Sequence, residues 1–76
     1  MSAKPLTNAL KVHRAMRNWT QAELANRTGV TRKTINTIEN GRYVPSVYVA
    51  LKIACAFGIP VENLFQLDDE VGDPKD

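Results

Sequence analysis

Apolar and polar positions alternate along the chain at helical spacing, and each helical stretch is bounded by a residue that opens or closes a helix. Residues 7 to 17, TNALKVHRAMR, contain good helix formers and neither Gly nor Pro, which predicts a first helix from Thr7 to Arg17 ending at Asn18. The next segment, WTQAEL, carries the sharpest local signal. Thr20 and Glu23 have the spacing of a capping box, and Trp19 and Leu24 that of a hydrophobic staple across the same helix start. A second helix is therefore expected from about Thr20 to Arg27, stopped at Gly29, where the missing Cβ permits a left-handed backbone. The chain restarts at once, with Thr31 as N-cap of a third helix that runs to Asn40 and closes at Gly41. Ser46 caps a fourth helix that reaches Phe57 and stops at Gly58, and a short fifth, VENLFQL, follows Pro60. The pattern contains no strand, and the expected fold class is all-α, a compact bundle of five helices.

The third helix carries the most information. With about 100° per residue, Ile38 and Thr31 fall near Ile35 on one side, whereas Lys33, Asn36, Thr37 and Asn40 cluster on the other with Arg32 at the flank. One side is built to sit on a core. The other offers hydrogen-bonding groups and two cations, as a helix needs to enter a major groove and touch both phosphates and base edges. The break at Thr28-Gly29-Val30 has the length of a helix-turn-helix connection.

The fourth helix is apolar on two sides. Val47, Ala50, Leu51, Ala54 and Phe57 gather on one face and are expected to cover the core, leaving Val49, Ile53 and Ala56 as a second strip beside Tyr48 and Lys52. A helix apolar on two sides packs against two things. The expectation is a homodimer joined through Val49, Ile53 and Ala56, with Leu64 and Phe65 of the fifth helix in the same interface.

Charge refines this picture. Residues 1–67 hold nine Lys or Arg against three Glu, and residues 68–76, DDEVGDPKD, hold five acids against one Lys. This divides the chain into a basic folded domain, 1–67, and an acidic, flexible tail, 68–76. A basic face suits a polyanion. With 76 residues there is material for one core. The longest apolar run, Val47 to Phe57, is too short to span a bilayer, and MSAKPLTNAL lacks the apolar stretch of a secretory signal, so a cytoplasmic protein is expected. One cysteine, Cys55, and one histidine, His13, supply neither a disulfide nor a metal site. There is no Gly-rich phosphate loop and no nucleophile motif, so the reading is a binding module, not an enzyme, without cofactor or metal.

The segment TQAELANRTGVTRKTINTIENGRYVPS resembles the helix-turn-helix of the Cro and phage-repressor (XRE-type) transcriptional regulators, and the resemblance continues through ALKIACAFGIPVENLF. It rests on Gln21 after the cap, Ala25 and Gly29 four apart, Val30 in the turn, Ile35 and Ile38 inward, and Glu39-Asn40-Gly41 at the end. TINTIENGRYVPS is similar to the short stand-alone members of that family in bacteria and archaea. The resemblance implies a lambda-repressor-like domain, with the helix-turn-helix at about 20–40, that binds double-stranded DNA as a transcriptional regulator, a repressor. By the same resemblance Arg32, Lys33 and Thr37 lie where bases are read, assisted by Asn36. Gln21, Thr31, Asn40, Arg42 and Tyr43 are placed against phosphates, and Arg14 pairs with Glu39 as an internal bracket. Lys33 departs from the Gln that close relatives carry, which points to guanine in place of adenine or to a phosphate contact. An antitoxin or a protein-interaction adaptor on the same fold is the alternative function, suggested by the acidic tail.

Overall fold

The computed structural model describes residues 6–67, and the acidic tail falls outside that range. The chain is mostly helical, in the order β1 (Leu6–Asn8), α1 (Leu10–Arg17), α2 (Gln21–Thr28), α3 (Arg32–Glu39), α4 (Val47–Phe57), α5 (Val61–Leu64) and β2 (Phe65–Leu67). Each helix contributes to one core formed by Leu10, Leu24, Ile35, Ile38, Ile53, Ala54, Phe57 and Leu64.

The helix boundaries follow the capping chemistry. Thr20, Thr31 and Ser46 each accept a hydrogen bond from the backbone N–H three residues on, at Glu23, Thr34 and Val49. Asn18 and Gly29 close α1 and α2 in the left-handed conformation, at φ 58° and φ 76°. A side chain with a Cβ is strained in that region, most of all a β-branched one, so a glycine at 29 is what lets α3 restart so soon. Thr28 completes the turn. It is buried, its hydroxyl donates to Leu24 O at 2.9 Å, and it accepts from Val30 N at 3.2 Å. Gly29 N donates in turn to Ala25 O at 2.9 Å.

The two ends of the domain differ from the sequence-based expectation. Leu6–Asn8 is not the start of α1, and Phe65–Leu67 is not the end of α5. They pair as an antiparallel ribbon with Leu6 opposite Leu67 and Asn8 opposite Phe65. Ala9 N extends the pairing to Leu64 O at 2.9 Å. The ribbon brings together segments far apart in sequence, so local propensity carries no trace of it. Asn8 ties it to the bundle: its side chain accepts from Leu10 N at 3.1 Å and donates to Ile38 O, near the end of α3, at 2.9 Å.

The rotation of α4 about its axis also differs. Ile53 is fully buried and packs with Ala54 and Phe57, while Val49 and Ala56 lie half-buried against the same core. Val47, Tyr48 and Leu51 face outward, with Val47 75% exposed. Relative to the sequence-based wheel the helix is turned by roughly a fifth of a turn. Two residues assigned to a dimer interface, Ile53 and Leu64, are therefore core residues. Val49, Ala56 and Phe65 are packed against the core and present only part of their surface. The reason is compositional: a helix that is apolar nearly all round has no polar side to mark its outward direction.

An aromatic column covers one flank of the bundle. The rings of Trp19 and Phe57 stack with centroids 5.4 Å apart, Arg27 lies 4.2 Å over Trp19, and Arg17 lies 4.9 Å from the Phe57 ring. Arg17 also donates to Phe57 O at 2.8 Å, which satisfies a carbonyl at the end of α4. His13 packs 5.6 Å from the Phe57 ring centroid.

Candidate nucleic-acid interface

The helix-turn-helix sets α3 across α2 with Ile35 and Ile38 in the core, which turns Arg32, Lys33, Asn36 and Asn40 toward solvent. Thr37, assigned to the same outward side, is half-buried, and its hydroxyl donates to Thr34 O at 2.9 Å. What Thr37 offers outward is therefore its methyl group and oxygen lone pairs, not a free donor. Thr31 is exposed but engaged, since its hydroxyl bonds to Thr34 Oγ1 at 2.9 Å while capping the helix.

Two shallow grooves flank Lys33. One, of about 400 Å³, is lined by Gln21, Arg32, Lys33 and Asn36; the other, of about 320 Å³, by Lys33, Thr34, Thr37, Arg42 and Tyr43. Among the described residues no carboxylate pairs with Arg32, Lys33 or Arg42, and the first turn of α3 contains no acid. Cations at a helix N-terminus oppose the helix dipole by about 0.3–1 kcal/mol each. A site with two such cations and no counter-charge is suited to receiving an anion.

Beneath this surface lies a polar frame. Arg14 Nε donates to Glu39 Oε2 at 2.6 Å and its Nη2 to Oε1 at 3.0 Å, a two-pronged ion pair with side chains only 14% and 5% exposed. Arg14 also donates to Trp19 O at 2.9 Å, which links α1, the α1–α2 junction and α3. Burial alone would raise the Glu39 pKa. Hydrogen bonds from Arg14 and Gln21, with the charges of Arg14 and Lys11, outweigh it and hold the carboxyl below its ordinary range. The hydrogen bond from Arg14 to Glu39 likewise raises the guanidinium above its usual value. Both groups are charged at neutral pH. The internal bracket expected from sequence is present.

The bracket extends outward in a way the sequence reading did not foresee. Gln21 Nε2 donates to Glu39 Oε1 at 3.0 Å, Asn36 Nδ2 donates to Gln21 Oε1 at 3.3 Å, and Asn40 Nδ2 donates to Asn36 Oδ1 at 3.1 Å. The Asn36–Asn40 link has the i, i+4 spacing of helix neighbours and was readable from the chain. The link to Gln21 depends on how α2 meets α3. Of the nine DNA-contact candidates, the structure brings eight together on one surface around Lys33 and Gln21. Thr31 lies at the start of α3, engaged by Thr34.

Among the described residues no helix is long and apolar enough to cross a membrane, and no cluster of His, Cys, Asp and Glu could hold a metal.

Comparison with known proteins agrees with this architecture. The helix-turn-helix family model matches residues 10–64. An uncharacterized HTH-type transcriptional regulator of Methanocaldococcus jannaschii is 46% identical over 65 residues, covering 86% of this chain and 98% of the relative. YgzD of Bacillus subtilis, of the same description, is 43% identical over 65 residues with the same coverage. Among solved structures, the restriction-modification controller protein C.AhdI of Aeromonas hydrophila superposes with TM-score 0.67 at 28% identity, covering 70% of this chain and 80% of that one. A LexA repressor of Eubacterium rectale superposes with TM-score 0.69 at 27% identity, covering 87% and 69%. The family match spans most of the chain, and the chain belongs to the helix-turn-helix family.

Proposed function

We propose that the protein is a sequence-specific DNA-binding transcriptional regulator, a cytoplasmic repressor that reads the major groove with α3. The observation that carries this is the first turn of α3, where Arg32 and Lys33 stand unpaired among the described residues between two grooves lined by polar side chains. Arg and Lys match the O6 and N7 acceptors of guanine, so the preferred half-site contains guanine. Thr37 supplies an apolar contact, suited to a thymine methyl. Gln21, Asn40, Arg42 and Tyr43 contact phosphates and set the register.

The protein acts as a homodimer, because a single α3 reads only a few base pairs whereas a two-fold pair reads half-sites about 34–36 Å apart. We place the interface on the outward face of α4, where Val47, Tyr48 and Leu51 are more than half exposed, continued by the exposed Val44 of the α3–α4 loop that also carries Arg42 and Tyr43. Selection of bound duplexes from random DNA with the purified protein tests the reading. A recurrent, guanine-containing inverted repeat supports it; recovery of no preferred sequence at low salt rejects it.

A further inference from the structure

The amide row on the DNA-facing side has a direction, and Glu39 sets it. A carboxylate can only accept hydrogen bonds, and this one already takes both prongs of Arg14. Gln21 can meet it only through its NH2 group, which it does at 3.0 Å. That turns Gln21 Oε1 the other way, where it needs a donor and finds Asn36 Nδ2 at 3.3 Å. Asn36 Oδ1 then faces Asn40 Nδ2 at 3.1 Å. Every amide orientation in the row follows from the one ionised group at its inner end.

This has a consequence for what each amide can bind. An NH2 group has two N–H donors, and the row uses one from each of Gln21, Asn36 and Asn40. Each keeps one donor, which is what a phosphate oxygen requires. Reading adenine is different, because an asparagine must present its oxygen and its nitrogen together to N6 and N7. Both ends of Asn36 are already held by neighbours, so its amide plane is set by the row, and a bidentate base contact would have only the one N–H and one lone pair left over, in the direction the row leaves them.

We infer that Asn36 is a positioning residue and not a base reader: it locks the Gln21 carboxamide against Glu39, so that the remaining Gln21 N–H is presented to a DNA phosphate. This rests on the DNA-binding reading above. It narrows base recognition to Arg32, Lys33 and Thr37, and it makes the affinity of the phosphate contact at Gln21 depend on a side chain in the recognition helix.

The test uses the full chain. Binding is measured on the wild type's selected duplex and on a set of duplexes carrying each single base-pair change, for wild type, Asn36→Ala, Gln21→Ala and the double variant, with folding of each checked by thermal melting. The expected result is that Asn36→Ala weakens every duplex by the same factor, about three- to tenfold. The rank order of base pairs stays unchanged, and the double variant binds within about twofold of Gln21→Ala alone, as strongly coupled neighbours do. A changed preference at one base pair, or a double-variant loss equal to the product of the single losses, overturns the inference. In the DNA-free protein, Asn36→Ala is expected to move the Gln21 side-chain NH2 resonances in a proton–nitrogen NMR spectrum; unmoved resonances overturn the lock itself. A wild type that selects no sequence, with those resonances still displaced, refutes the DNA reading while leaving the lock in place.

Discussion

Helices α3 and α4 follow one another in the chain and both lay one side on the same core, but they differ in how far composition alone orients them. In α3, Ile35 and Ile38 are the two large apolar residues, and every other position is polar or charged. Burying the isoleucines leaves only one rotation, and the polar, outward side follows from it. In α4, ten of the eleven residues, VYVALKIACAF, are apolar or aromatic, and Lys52 is the only charge. Several rotations would bury comparable area, and packing against α2 and α5 chooses between them. A helix is oriented by the contrast between its sides, and an apolar excess blurs it.

The largest effect that would break this comparison is at Ile53. Ile53→Asp places a charge in a fully buried site and is expected to abolish cooperative thermal unfolding, since the cost of several kcal/mol is comparable to the whole stability of a small domain. Leu51→Asp, on the outward side of the same helix, is expected to stay folded with little change in melting temperature and to sediment as a monomer at micromolar concentration, where the wild type is expected to sediment as a dimer. A folded Ile53→Asp, or an unfolded Leu51→Asp, would return α4 to the other rotation. Monomeric wild type would remove the dimer.

In α3 the corresponding core change is milder. Ile38→Ala should cost about 2–5 kcal/mol by opening a cavity, read as a lower midpoint in denaturant unfolding. Retention of the wild-type midpoint would mean that Ile38 is not the inward residue it is here.

Outward changes on α3 should act on binding, with stability unchanged or slightly raised where a cation is removed from the helix N-terminus. Arg32→Ala and Lys33→Ala are each expected to cost about 1–3 kcal/mol on the selected duplex and much less on random DNA. Equal losses on both would reduce them to phosphate contacts.

The pH dependence isolates the frame behind the interface. The folded-state pKa of Glu39 lies below its unfolded value, so its contribution is fully present above the ordinary carboxylate range and is lost as pH falls through the depressed folded value. Wild type should therefore lose stability on acidification into that range, and Glu39→Gln should show a shallower loss across the same interval. Identical slopes would mean that another carboxylate controls acid unfolding. The smallest effect is expected at Arg42, where Arg42→Ala should weaken all duplexes alike and make the dependence of affinity on salt shallower by about one phosphate's worth.

What the amino-acid sequence determined by itself is local. Thr20, Thr31 and Ser46 open helices because a hydroxyl three residues ahead of a free N–H can cap it, and Asn18, Gly29 and Gly58 close them because they tolerate positive φ. Each of these interactions spans only a few residues, so each is legible in a short string of letters. The polar side of α3 is legible for the same reason, and with it the candidate contacts Arg32, Lys33, Asn36 and Asn40. Tertiary structure decided the rest. It paired Leu6–Asn8 with Phe65–Leu67, chose the rotation of α4, and carried the charge of Glu39 through Gln21 to Asn36. These outcomes depend on which surfaces of distant segments meet, and burial energy is nearly indifferent to which apolar residue fills a given volume. Hydrogen bonds are not indifferent: once α2 and α3 had met, the acceptor-only carboxylate of Glu39 allowed the amides beside it a single orientation.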